Sequence, residues 1–166
     1  ELIRDTDALP IPDAMVTRDL TKLAAKIIGL ADQLWLKFTM ARFDGRYPLT
    51  QDLFAYRESS GEDRPTPLGE VYLALDGAIG SLVSTLDPLA ETSPEIDSLV
   101  RRARQARFDL DFIANQSERN YVYWLEKRGK GMFLRASPVD VSELLREKLF
   151  DKVESCILTS ATMSSS

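Results

Sequence analysis

Apolar residues recur along the first half of the chain at helical spacing. From about Asp19 to Arg42 they fall at Leu20, Leu23, Ile27, Leu30, Leu34 and Phe38. Steps of three and four put them on one face, which predicts a long amphipathic helix. Pro10 and Pro12 exclude a regular helix over the first sixteen residues, and Thr17 or Asp19 supplies a cap. Gly45 and Pro48 close the helix; "RFDGRYPLT" reads as a turn and "RESSGEDRPTP", 57–67, as a polar loop. A second helix is expected from near Pro67, with its stripe at Leu68, Tyr72, Leu75, Ile79, Leu82 and Leu86. Gly69, Gly77 and Gly80 lower its propensity by about 1 kcal/mol each and leave room for close approach of a neighbouring helix. A third is expected from Pro94 with Ser93 as cap, burying Ile96, Leu99 or Val100, Ala103, Ala106, Leu110 and Ile113. Three long helices with matched stripes predict an antiparallel bundle.

The period then changes. "YVYWLEKR", 121–128, and "GMFLRAS", 131–137, are aromatic and β-preferring, with Gly129, Lys130 and Gly131 between them. They predict a β-hairpin, with Tyr121, Tyr123 and Leu125 on the face that packs on the bundle. "VDVSELLREKLF", 139–150, predicts a short helix capped by Asp140 or Ser142 and burying Val141, Leu144, Leu145 and Leu149. Cys156, Ile157 and Leu158 read as a short buried strand, with Cys156 an inert core thiol. The expected fold is α+β and mainly α: an antiparallel helical bundle, a β-hairpin, and a short C-terminal helix and strand. Residues 1–117 form the helical part and 118–166 the β-containing part. A lone hairpin plus one strand is marginal in water, so it must lean on the bundle or belong to a larger sheet.

Composition narrows the chemistry. The chain has 166 residues, one cysteine and no histidine. Histidine-based acid–base catalysis, the usual zinc sites and any multi-cysteine metal or iron–sulfur site are therefore excluded from it. It contains no phosphate-loop motif. "DGAIGS", 76–81, lies inside a helical stripe and reads as packing. Asp109 and Asp111 stand two apart on a helix, so their side chains diverge. No nucleophile–base pair can be built, so the chain by itself is not expected to be an enzyme. No apolar run is long enough to span a membrane.

Charge is unevenly distributed. The net charge is −5, yet residues 101–135 carry nine basic and four acidic side chains. Arg101, Arg102, Arg104 and Arg107 lie off the buried stripe of the third helix. Such a face is either simply solvated or able to meet phosphate. Lys127, Arg128 and Lys130 make a basic tip on the hairpin, beside Tyr121, Tyr123 and Trp124. Aromatics interleaved with cations can stack on single-stranded bases.

The tail taken whole, "YVYWLEKRGKGMFLRASPVDVSELLREKLFDKVESCILTSATM", resembles the segment that leads into helicase motif III in DinG/XPD-type superfamily-two ATP-dependent DNA helicases. The matching residues are Tyr123, Trp124 and Glu126, Pro138 to Ser142, Leu144, Leu145, Leu149 and Phe150, then Thr159, Ser160, Ala161 and Thr162. Met163 stands where the family usually has leucine. About 45 residues match closely, and the helices before them match in character the arch domain that this family inserts in its first motor domain.

The resemblance implies a parent that is a bacterial, cytoplasmic 5′-to-3′ DNA helicase acting in DNA repair, with ATP and magnesium as cofactors and, in many members, an iron–sulfur cluster. Its nucleotide site would precede residue 1 and its second motor domain would follow residue 166. Residues 1–117 would be the arch that guides single-stranded DNA, with Arg101, Arg102, Arg104 and Arg107 as its basic face; Lys127, Arg128 and Lys130 of the hairpin tip are further DNA-binding candidates. Thr159, Ser160, Ala161 and Thr162 would be motif III, coupling ATP hydrolysis to translocation. The fragment alone would be inactive, monomeric and without cofactor, and would not bind a membrane. The rivals are a helical protein-interaction module without nucleic-acid function and a small free-standing cytosolic enzyme.

Overall fold

Helix-period stripes followed by an alternating pair of strands fold as a mainly helical α+β chain in a computed structural model. It describes residue 11 and residues 14–39, 45–54, 56–59, 62–129 and 131–157. Helix α1 spans Ala14–Thr39, and Leu20, Ile27, Leu34 and Phe38 of its stripe are buried. It begins earlier than Thr17 or Asp19, so neither caps it, and residues 14–16 are helical rather than irregular.

Helix α2, Pro67–Leu86, starts where Pro67 and Thr66 require. The Thr66 hydroxyl accepts from the Gly69 amide at 2.9 Å and donates to the Leu53 carbonyl at 2.7 Å. All six stripe residues of α2 are buried. A 3-10 segment, Asp87–Thr92, leads to α3, Pro94–Asn115, where the Ser93 hydroxyl accepts from the Glu95 amide at 3.2 Å. Gln116 ends α3 in the left-handed region at φ 47°.

The bundle is antiparallel, as side-chain pairs show. Arg104 meets Asp87, while Arg107 meets Asp76 and Asp111 meets Tyr72. Phe38 at the end of α1 reaches Tyr72 near the start of α2 through Phe54, at ring separations of 6.3 and 6.0 Å. Leu82, Leu86, Ile96, Leu99 and Val100 form the driest part of the α2–α3 seam, each under 2 % exposed.

The glycines of α2 divide by surroundings. A Cβ at Gly69 would stand 2.6 Å from the Phe54 carbonyl oxygen, whereas one at Gly77 meets nothing within 4 Å. The close neighbour of Gly69 is thus the turn at Phe54 and not a helix. Gly69→Ala is expected to lower stability by about 1–3 kcal/mol through overpacking. Gly77→Ala should raise it by up to about 1 kcal/mol. Urea melts of the two variants check the contrast.

Strands β4, Tyr121–Arg128, and β5, Gly131–Pro138, pair antiparallel from Tyr121↔Pro138 to Arg128↔Gly131. Gly129 follows β4 as a turn residue at φ 58°. A third strand, β1, Gly45–Pro48, pairs antiparallel with the other edge of β4. "RFDGRYPLT" is therefore partly strand and not only a turn. The polar segment after it is not wholly loop either, because β2, Tyr56–Ser59, and β3, Glu62–Pro65, pair antiparallel. The sequence of both strands is too polar to give an alternating signal.

The hairpin leans on the bundle. Tyr123 and Leu125 are buried, and Phe112 of α3 meets Tyr121 at 5.2 Å and Tyr123 at 5.6 Å. Each such ring pair contributes about 0.5–1.5 kcal/mol beyond its buried area.

The tail departs from expectation. Helix α4, Ser142–Lys148, forms, but Val141 and not Asp140 or Ser142 stands at its cap position; Asp140, one residue earlier, accepts from the amide and hydroxyl of Ser142. Its apolar side chains, however, are not buried: Val141, Leu144, Leu145 and Leu149 are each 40–47 % exposed. Cys156 and Ile157 are exposed and lie in no strand. A strand needs a neighbour for its backbone groups, and none of the described strands pairs with this segment. Cys156 is accordingly not a core thiol. Leu158 lies outside the described residues.

Candidate nucleic-acid interface

The α3 arginines are bound up with carboxylates. Arg101 pairs with Asp97 one turn back at 3.2 Å. Arg104 donates to Asp87 at 2.7 Å. Arg107 grips Asp76 with two hydrogen bonds, Nε to Oδ1 at 2.6 Å and Nη2 to Oδ2 at 2.9 Å. The Asp76 bonds raise the pKa of the Arg107 guanidinium further. Next to this pair the Tyr72 hydroxyl donates to Asp111 at 2.9 Å, and Asn115 donates to the same oxygen at 2.6 Å. Burial, then the bond to Asp111, push the Tyr72 phenol above its ordinary value.

Arg104, Arg107, Asp76 and Asp111 line a cleft of about 390 Å³ between α2 and α3. Two carboxylates face two guanidinium groups there, so the cleft is mixed in charge. These pairs latch α3 to α2 and the turn after it. Exposed pairs of this kind contribute about 0–1 kcal/mol each. Arg102 is exposed on the same helix. Asp109 accepts from Gln105 at 2.8 Å while Asp111 takes Tyr72, so the two carboxylates do diverge.

At the hairpin, Lys127 and Arg128 are exposed. Lys130 and the motif III residues Thr159, Ser160, Ala161 and Thr162 lie outside the described residues. Strand alternation separates the aromatics that the sequence places together. Tyr121, Tyr123 and Leu125 face the helices. Val122, Trp124, Glu126 and Arg128 point the other way.

On that outer face a second group assembles, which sequence reasoning missed. Register places Arg46 of β1 and Phe133 of β5 on either side of Glu126, and Pro48 and Arg135 on either side of Trp124. Glu126 is 5 % exposed. Its Oε1 accepts from Arg128 at 3.0 Å and Arg46 at 3.4 Å, and its Oε2 pairs with Arg135 at 3.3 Å. Burial pushes the Glu126 carboxyl up, but the bonds and charges of Arg128 and Arg46 outweigh it and hold the group below its ordinary value.

The Arg46 guanidinium lies 5.3 Å over the Trp124 ring, and that of Arg135 lies 5.3 Å over Phe133. The Trp124 indole N–H is buried and has no hydrogen-bond acceptor among the described residues. Three guanidinium groups against one carboxylate leave this face with a net charge of about +2. The signal in the sequence was alternation itself, applied to β4 and β5 together. Arg46 carried none, because it sits in a segment that reads as a turn.

Among the described residues no group of three or more histidine, cysteine, aspartate or glutamate side chains could hold a metal ion. With one cysteine in the sequence, the residues present do not fit an iron–sulfur cluster. No described helix is long and apolar enough to cross a membrane. No family model, no curated protein and no solved structure matches the chain.

Proposed function

We propose that the chain is the arch region and adjoining motor-domain segment of a bacterial, cytoplasmic DinG/XPD-type DNA helicase that works in DNA repair. The observation that carries this reading is the uncovered tail. Val139, Val141, Leu144, Leu145, Leu149, Phe150, Val153 and Ile157 are 38–89 % exposed within 19 residues. So many exposed apolar side chains in one short segment support an interaction site there. In the helicase reading, the remainder of the first motor domain covers it. The residues that the resemblance makes diagnostic, Pro138 to Ser142 and the paired leucines, belong to this same segment.

In this reading ATP and magnesium bind outside the chain, and the fragment alone neither hydrolyses ATP nor unwinds DNA. The motif III hydroxyls of Thr159, Ser160 and Thr162 exchange partners as the two motor domains close, and pass the nucleotide state to the DNA grip. In the full-length parent, Thr159→Ala with Thr162→Ala should keep DNA-stimulated ATP hydrolysis while unwinding falls by about tenfold or more, a barrier rise of about 1.4 kcal/mol. Equal unwinding by variant and wild type would remove the coupling role.

The exposed tail equally fits a protein-interaction module without nucleic-acid function. The genomic reading frame decides between the two. A phosphate loop upstream and a second motor domain downstream favour the helicase; their absence favours the module.

A further inference from the structure

We infer that the outer face of the three-stranded sheet is a binding site for single-stranded DNA, with Trp124 and Phe133 as stacking surfaces and Arg46, Arg128 and Arg135 as phosphate contacts. The choice of ligand rests on the helicase reading; the site rests on the sheet. The inner face is spent on packing, since Tyr123 and Leu125 are buried against the helices. On the outer face Phe133 is 43 % and Val122 51 % exposed.

Glu126 has a positioning role in this arrangement. A single shielded carboxylate gathers three guanidinium groups from three strands and still leaves an excess of positive charge. Each of the two aromatic rings already holds a planar cation over it. When Arg46 moves from the indole to a phosphate, the ring of Trp124 is uncovered for a base and its N–H gains an acceptor. An aromatic platform framed by cations is the usual physical basis of single-strand binding. An acidic peptide would match the charge but make no use of the rings.

The test uses the 166-residue chain with Trp35→Phe, which leaves Trp124 as its tryptophan. Oligothymidylate titrated at low salt should quench the Trp124 emission. The logarithm of affinity should fall against the logarithm of salt with a slope of about −2, from three phosphate contacts. Phe133→Ala, at an exposed position, should weaken binding by about tenfold, within the range for one stacked base.

Binding that leaves Trp124 emission unchanged would overturn the site, as would an unaltered affinity in Phe133→Ala. Loss of binding only on reversing Arg101, Arg102, Arg104 and Arg107 would move it to α3. Displacement by polyglutamate as effective as by oligonucleotide would reduce it to an acidic-peptide surface. No binding at high protein concentration would also overturn it. The helicase reading is judged apart from all of these, by the neighbouring reading frame.

Discussion

Leu99→Ala should destabilise the chain by about 2–5 kcal/mol, the cost of a large-to-small change in a closed core. Leu99 is fully buried, at the centre of a seam shared with Leu82, Leu86, Ile96 and Val100. At the outer edge of this seam, Arg107–Asp76 joins α3 to α2, and Arg104–Asp87 joins α3 to the turn after α2. With total stabilities of about 5–15 kcal/mol, one such change takes a large share. Leu144→Ala is the matched control. The residue type is the same, but at 47 % exposure it should cost the isolated chain under about 0.5 kcal/mol. Denaturant melts of both variants give the comparison. A small loss for Leu99 and a large one for Leu144 would mean that the core is elsewhere.

That contrast marks the limit of what could be read in the sequence. Leucines at helical spacing announce a face that wants burial, and for α1, α2 and α3 they announce the partner too, because three such stripes satisfy one another. The cap at Ser93 was legible for a local reason: a hydroxyl before a proline-led helix has amides to bind, and Thr66 before Pro67, which the sequence reading passed over, obeys the same rule. Leu144, Leu145 and Leu149 carry an equally clear stripe, yet nothing local says whether a partner lies within the described residues. The expected burial there failed although the helix itself formed.

The sheet face was hidden by a different effect. Arg46 reaches Glu126 across 80 positions of sequence, and a four-residue strand with exposed side chains leaves no periodic trace. Trp124 was visible but assigned with Tyr121 and Tyr123 as one cluster. Only pairing with β5 shows that it belongs with Phe133 and Arg135. Long-range pairing, not local propensity, builds the cluster, and that is why it had to be seen in three dimensions.

Glu126→Gln should lower the stability of the chain and raise its affinity for single-stranded DNA. The glutamine keeps the shape and one acceptor but removes the carboxylate charge that Arg46, Arg128 and Arg135 share among the described residues. Three guanidinium groups then repel one another around a neutral centre. The sign with pH follows from the direction of the shift. The folded carboxyl titrates below its ordinary value of 4.5, so its contribution is complete above that pH and is lost as pH falls through the lower, folded value. The stability gap between wild type and Glu126→Gln should therefore be widest at neutral pH and close in acid. Thermal melts between neutral pH and about pH 3 measure it. A gap that stays constant with pH would show that the carboxylate's charge is not what organises the arginines. The affinity arm runs opposite. Without its carboxylate the face gains one unit of positive charge, so oligothymidylate should bind more tightly at low salt, with the difference erased at high salt. A variant that is less stable yet binds better separates a positioning carboxylate from a merely structural one. Loss of both properties would mean that the arginines need Glu126 to face the strand at all.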